Sequence, residues 1–240
     1  MSTDVIVPWA GGCPYRTAAL RYVTGLLRDR HPDWGVVVGH GNPDRWCKAE
    51  AVADALTRST AERIVIHDGD VWSDGTEMAV LSLDVAPWAM PHGDVHRLTL
   101  DATRRVLGGL DPLVGARPAQ PEPKARYERV HPGFAGGGIV ALRRELYESV
   151  PLDPRYVGWG HEDETWAWAL GMLAGKPWRG KARLFHLWHP PQVRDESRGP
   201  RGSTESWALR QRYLSAVRSK DPARMRQLVA EFQVGVLHWP

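Results

Sequence analysis

The chain has 240 residues and a mass of 26.8 kDa, with 42% hydrophobic and 25% charged residues. That is the size and balance of one folded domain or two small ones, which excludes collagen-like and disordered chains. A formal charge of +3 with a pI near 9.0 is too small to imply nucleic acid for the chain as a whole, and two cysteines (Cys13, Cys47) make neither a disulfide framework nor a zinc spacing.

The first apolar run, Asp4–Val7, is β-branched and stopped by Pro8, and predicts a buried strand followed by a Gly/Pro-rich loop. Thr17–Arg28 reads as a helix with Leu20, Val23, Leu26 and Leu27 on one face. Gly35–Val38 is a second strand, ending at Gly39-His40-Gly41-Asn42. Trp46–Arg58 is a second helix, with Ala49, Val52, Ala53 and Leu56 in a stripe. Arg63–Ile66 is a third strand, ending at His67-Asp68-Gly69-Asp70, and Ser73 is expected to cap a helix running to Leu83. This rhythm predicts an α/β fold with a mostly parallel central sheet, in which ligands bind beyond the carboxyl ends of the strands. Pro8, His40 and Asp68 all stand at such ends.

The middle is less regular. Val95–Leu100 predicts a strand and Asp101–Leu107 a short helix. Asp111–Gly133 holds five prolines and reads as a surface excursion. Ile139–Leu142, preceded by Phe134-Ala135-Gly136-Gly137-Gly138, predicts another strand, and Arg143–Val150 a helix. A Gly158-Trp159-Gly160 turn opens a helix over Glu162–Ala174, whose Trp166 and Leu170 belong to the core. Arg183–Trp188 is a strand ending at His189-Pro190-Pro191, and Ser203–Ser219 and Pro222–Phe232 are amphipathic helices. Residues 1–192 are read as the catalytic domain and 193–240 as a basic helical extension packed on it.

The first residues lack a basic leader region, and no run reaches the roughly 18 apolar residues of a membrane span, so a cytoplasmic protein is expected. Charge is uneven: Arg194–Arg226 holds nine basic and four acidic residues. A solvated helical face explains such a tail, and so does an acidic glycan, a membrane surface or nucleic acid. Twelve tryptophans against three phenylalanines leave core packing and ligand stacking both open.

Three constellations carry chemistry. Asp68 and Asp70 flank Gly69 at a strand end, where two carboxylates can turn onto one hard cation shared with a diphosphate. Glu162, Asp163 and Glu164 fill a first helical turn. The helix dipole alone accounts for Glu164, and it also keeps a carboxylate ionised for base catalysis. Trp159 between glycines is placed to stack on a sugar ring, or to pack in the core. His186 and His189 end the late strand, where one neutral imidazole can complete a metal site begun by Asp70.

The order strand-Pro8, Lys48-Ala49, Asp68-Gly69-Asp70, Gly136-Gly137-Gly138, Trp159-Gly160-His161-Glu162-Asp163 and His186 resembles that of metal-dependent nucleotide-sugar glycosyltransferases of the GT-A fold. The nearest patterns are the inverting galactosyltransferases and bacterial polysaccharide polymerases with a Trp-Gly-Gly-Glu-Asp signature, over residues 4 to about 192. The resemblance implies a Rossmann-like sheet flanked by helices, Mn²⁺ or Mg²⁺, a nucleotide-sugar donor (UDP-sugar foremost), and an acceptor glycan or other hydroxyl-bearing molecule. It implies that Pro8 and Trp9 hold the base, and that Lys48 neutralises the leaving diphosphate. Asp68 would meet the ribose or metal, Asp70 and one late histidine (His186 before His189) would bind the metal, and Gly136 and Gly137 would approach the sugar. Glu162 would hold sugar or acceptor, and Asp163 would deprotonate the acceptor hydroxyl with inversion. The sequence departs from the pattern twice: His161 replaces the second glycine, and the nearest arginine after Pro8 is Arg16. Competing readings are a non-catalytic sugar-nucleotide or glycan-binding module, a transferase acting on modified nucleic-acid bases through residues 194–226, and an unrelated metal-dependent hydrolase.

Overall fold

A computed structural model of the chain describes residues 1–11, 13–110, 127–133, 136–158, 160–190 and 204–236. β1 (Thr3–Trp9) is buried on both faces, with Val5 and Val7 in one apolar cluster and Ile6 in the other. The period-2 alternation of a strand distributes its side chains in this way. β3 (Arg63–His67) repeats the pattern with Val65 against Ile64 and Ile66, and β7 (Ile139–Arg143) repeats it with Ile139 and Ala141 against Val140 and Leu142.

β1 pairs in parallel with β2 (Gly35–His40) on one side and with β3 on the other. The crossovers are α1 (Pro14–Arg30), which starts with proline in its first turn, and α2 (Lys48–Leu56). This half is the parallel βαβ arrangement read from the sequence. Beyond β3 the sheet is mixed: β7 runs antiparallel to β3, and β5 (Trp88–Leu98) is antiparallel to β7 but parallel to β8 (Trp178–His186). β4 (Val71–Trp72) closes the edge antiparallel to β8, giving the order β2-β1-β3-β7-β5-β8-β4 with β6 (Tyr127–Pro132) on β5.

Three expectations are corrected. The strand expected at Val95 begins seven residues earlier, at Trp88, and continues through Pro91 and Gly93. The segment expected as a surface excursion to Gly133 contains β6, which pairs with the second half of β5; residues 111–126 lie outside the described residues. α3 (Thr76–Leu81) is shorter than expected and passes into a 3-10 turn over Ser82–Asp84. α4 (Leu100–Leu107) is capped by Thr99, whose hydroxyl accepts from Ala102 N–H at 3.1 Å.

The remaining helices are α5 (Arg144–Ser149), α6 (Glu162–Leu173), α7 (Thr204–Ser219) and α8 (Pro222–Val236). Leu209, Tyr213, Met225, Leu228 and Phe232 share one cluster with Trp166 and Leu170 of α6 and with Ile64 of the sheet. Polar contacts lock the same junction. Arg155 donates to both carboxylate oxygens of Asp153, Tyr213 Oη donates to Asp153 Oδ2 at 2.9 Å, and Arg155 reaches Glu231 at 2.6 Å. Trp88 and Trp166 are buried, and their indole N–H groups donate to Gly175 and Val150 carbonyls at 2.8 Å each. Among the described residues no helix is long and apolar enough to cross a membrane.

Candidate active site

The carboxyl ends of β1 and β3 open on a cleft of about 590 Å³. Its walls include Pro8, Trp9, Arg16, Lys48, Asp68 and Asp70 from the parallel half of the sheet. Gly137, Glu162, Asp163 and His186 close it from the other half. Residues far apart in the chain are thus brought to one place by the sheet order.

Strand pairing brings Asp70, His186 and His189 to one corner. The antiparallel register Val71↔His186 puts Asp70 beside the end of β8, and Leu187 N–H donates to the Asp70 carbonyl at 2.8 Å. One ligand atom each from Asp70, His186 and His189 then falls within 4.8 Å of the others. Both histidines, not one, join the aspartate. His189 Nε2 is 3.3 Å and His186 Nε2 4.0 Å from Asp70 carboxylate oxygens. Arg16, on the first turn of α1, approaches the His189 ring nitrogens at 3.4 and 3.5 Å, and Arg97 Nη1 donates to His186 Nε2 at 3.2 Å. Burial opposes the Asp70 charge, yet His186, His189 and Arg16 hold its carboxyl well below the ordinary range. Burial also lowers His186, keeping the imidazole neutral as a ligand must be.

Asp68 stands apart from this triad. Its Oδ1 lies 2.7 Å from Lys48 Nζ, and the same ammonium donates to Asp163 Oδ1 at 2.8 Å. Lys48 is 7% exposed and Asp163 29%. The lysine expected on the diphosphate bridges two carboxylates in the structure. Burial alone would lower the Lys48 ammonium, but Asp163, Asp68 and Glu162 outweigh it and raise it. The carboxylates respond in turn. Glu162 is pushed up to about 7, first by burial and then by Asp163, and burial raises Asp163 against the pull of Lys48.

The acidic turn is aimed by its backbone. His161, the N-cap of α6, has φ 78°, in the left-handed region where a non-glycine residue is strained. The glycine of the resembled motif would take this conformation freely, so the departure at His161 concerns the backbone first. Gly160 N–H donates to Glu162 Oε2 at 2.9 Å, and Gly158 N–H donates to the Trp46 carbonyl at 2.7 Å, tying the turn to the approach of α2. Glu164 turns away to Arg210 of α7, accepting from Nε at 2.6 Å and Nη2 at 3.0 Å. The Arg210 guanidinium also lies over the rings of Trp168 and Trp207, and Trp207 lies against His161.

The glycine loop divides its tasks. Gly136 (φ 86°) sits where a Cβ would come within 2.2 Å of the Asp163 carbonyl, so its lack of a side chain lets the loop pack on α6. Gly136, expected at the sugar, is not among the residues that line the cleft. Gly137 does line the cleft, beside Asp163 Oδ2. Trp159 lies outside the described residues, as does 191–203 of the basic tail. Arg210 and Arg212 of that tail are committed to Glu164 and Glu231, and nothing here supports a nucleic-acid partner.

Sequence reading missed four cleft residues: Trp46, His92, Arg97 and His131. The last three belong to β5 and β6, whose pairing across the proline-rich segment left no periodic signal.

No known family profile and no curated protein matches the chain. Among solved structures it is similar to glucosyl-3-phosphoglycerate synthase from Mycobacterium tuberculosis in complex with Mg²⁺ and uridine-diphosphate. The identity is 14% and the TM-score 0.45, over 90% of this chain and 79% of that one. The same enzyme with Mn²⁺, uridine-diphosphate and phosphoglyceric acid gives 15% and 0.46, over 91% and 78%. A Drosophila beta-1,4-galactosyltransferase 7 variant with manganese, UDP-Gal and xylobiose gives 15% and 0.38, over 85% and 70%. Likenesses this distant assign no activity to the chain.

Proposed function

We propose that the protein is a metal-dependent glycosyltransferase of the GT-A type, a hexosyltransferase that moves a sugar from a nucleoside-diphosphate sugar to an acceptor hydroxyl with inversion. The observation that carries this reading is the sharing of one cleft by two groups of residues. Asp70, His186 and His189 offer ligand atoms within 4.8 Å of one another, and Asp163 presents a half-buried carboxylate in the cleft that Asp70 and His186 line.

The donor set fits a divalent cation. A carboxylate held ionised beside two imidazoles suits Mn²⁺ better than Mg²⁺, which prefers oxygen ligands alone. A cation there would supply charge stabilisation for the departing diphosphate. Arg16 and Arg97, both at this corner, add positive charge on the same side.

The other end of the cleft handles the acceptor. Lys48 occupies Oδ1 of Asp163, and Oδ2 lies beside Gly137. In this reading Asp163 Oδ2 takes the proton from an acceptor hydroxyl. The oxygen attacks the anomeric carbon from the face opposite the diphosphate, and the bond from that carbon to the diphosphate oxygen breaks. Lys48 pulls the Asp163 carboxyl down against the rise that burial causes, a positioning role. Glu162 holds the sugar or acceptor through the carboxylate oxygen that Gly160 N–H does not occupy. Pro8, Trp9 and Trp46 offer an apolar and aromatic wall for the base.

A thermal-shift screen of UDP-, GDP- and dTDP-sugars with and without Mn²⁺ tests the reading. A ligand that binds only the folded state raises its stability, by about 2.7 kcal/mol at a concentration 100 times Kd. At least one nucleotide sugar is expected to raise the unfolding temperature, and more so with Mn²⁺; no shift with any of them would refute the reading.

A further inference from the structure

His92 stands on β5 with its side chain wholly buried, and neither ring nitrogen has a hydrogen-bond partner. Buried polar atoms are almost always paired, so a ring with both nitrogens unpaired costs folding stability that the packing around it does not return. The same ring lines the cleft. The backbone is built to send it there: the β5–β8 register shifts on both sides of His92, between Met90 and His92 and between His92 and Asp94. Irregularities of this kind re-aim a side chain next to a site. Gly133 makes the slot: a Cβ there would come within 2.7 Å of His92 Cδ2 and 3.1 Å of Nε2.

His67 is the control within the molecule. It is also fully buried with Nε2 unpaired, but its Nδ1–H donates to the Asp68 carbonyl at 2.9 Å and its ring does not line the cleft.

We infer that His92 is the floor of a subsite for an uncharged polyhydroxylated ring, the sugar carried by the donor, and that it helps determine which sugar is accepted. A neutral imidazole has an N–H donor on one nitrogen and a lone-pair acceptor on the other, and a sugar hydroxyl, which both donates and accepts, matches either nitrogen. A phosphate does not, since it needs donors only and would face the Asp68 carboxylate nearby. The cationic corner of Arg16 and Arg97 suits phosphate instead. Burial holds His92 down to about 4, so the ring is neutral at physiological pH. The inference rests on the glycosyltransferase reading and adds a residue that no carboxylate or glycine motif marks.

The test compares binding of UDP alone with binding of UDP-glucose and UDP-galactose, all with Mn²⁺, to wild type, His92→Phe and His92→Gln. For His92→Phe, UDP affinity is expected to stay within about twofold, while the ratio of UDP-sugar to UDP affinity falls about tenfold for at least one sugar. His92→Phe is expected to unfold at the same or a higher temperature than wild type, because an apolar ring replaces two orphaned nitrogens. His92→Gln, with a donor and an acceptor of its own, keeps part of the sugar affinity and carries the comparison if the phenylalanine variant does not fold. Unchanged UDP-sugar affinities in both variants, or equal losses of UDP and UDP-sugar, overturn the inference. A wild type that binds neither UDP nor UDP-sugar overturns the underlying reading instead.

Discussion

Lys48 Nζ donates to Asp163 Oδ1 at 2.8 Å, joining the first residue of α2 to the first turn of α6. The same nitrogen reaches Asp68, so one buried cation holds both ends of the proposed transfer path together. Without it, Asp68, Glu162 and Asp163 would share a half-buried site with no counter-charge.

Replacing Lys48 with methionine keeps the side chain's volume and removes its charge. Asp163 and Glu162 lose the charge that pulls their pKa values down, so those values rise and the acid limb of the rate profile moves to higher pH. Turnover at pH 7 is expected to fall on the order of 100-fold, as for loss of a working general base. Stability falls by about 2 kcal/mol, less than for a fully buried pair because both partners are about 30% exposed. The pH–rate profiles of wild type and Lys48→Met decide this.

The metal corner predicts a readout independent of turnover. Mn²⁺ alone is expected to raise the wild-type unfolding temperature, and equimolar Mg²⁺ to raise it less, because two of the three ligands are imidazoles. Asp70→Asn and His189→Ala should each abolish the Mn²⁺ shift. Scanning calorimetry with and without the ions measures it, and a full shift in Asp70→Asn contradicts the assignment.

At His161 the backbone is the requirement, and its φ of 78° costs a non-glycine residue about 1–2 kcal/mol. His161→Gly is expected to keep at least half of wild-type turnover, since the turn retains its shape. His161→Val, β-branched and poorly tolerated at positive φ, should lose most of it. Parallel turnover assays of the two variants settle which property of the residue matters.

Acid stability carries the sign of the buried histidines. His67 and His92 are both held down to about 4 from 6.5, so the unfolded chain binds more protons between those values. Their contribution is complete above pH 6.5 and is lost as pH falls toward 4, by up to about 1.4 kcal/mol per pH unit per histidine. Glu162, pushed up to about 7 from 4.5, acts oppositely: its folded form keeps a proton longer, so its contribution falls as pH rises through that window. Removing one histidine, in His92→Phe, should flatten the rise in stability between pH 4.5 and 6.5 relative to wild type. Urea unfolding across that range gives the difference directly, with all other groups common to both proteins.

The parallel half of the sheet was readable because each strand there is an apolar run that stops sharply, at Pro8, at Gly39 and at Asp68. The metal corner was readable in part: an Asp-x-Asp turn and two late histidines have chemistry of their own, though only the Val71↔His186 register shows that both histidines meet Asp70. Lys48 was found, but its bridge between Asp68 and Asp163 was not, since nothing local tells a lysine which of several charges lies near it. β5 was expected only from Val95; Pro91 and Gly93, which precede it, sit at register shifts of a strand flanked on both sides. His92 vanished with them. A lone histidine in a mixed stretch carries no periodic signal, and its unpaired nitrogens exist only in three dimensions.

Transfer from a UDP-sugar with Mn²⁺, followed as UDP release by wild type and Asp163→Asn, tests the central claim most directly. Wild type is expected to release UDP in the presence of an acceptor. Asp163→Asn should bind UDP with Mn²⁺ about as well as wild type but release UDP from the donor at least about 100-fold more slowly. Near-normal release by Asp163→Asn would contradict the assignment of Asp163 as the base, and no release by wild type with any UDP-sugar would contradict UDP-sugar transfer itself.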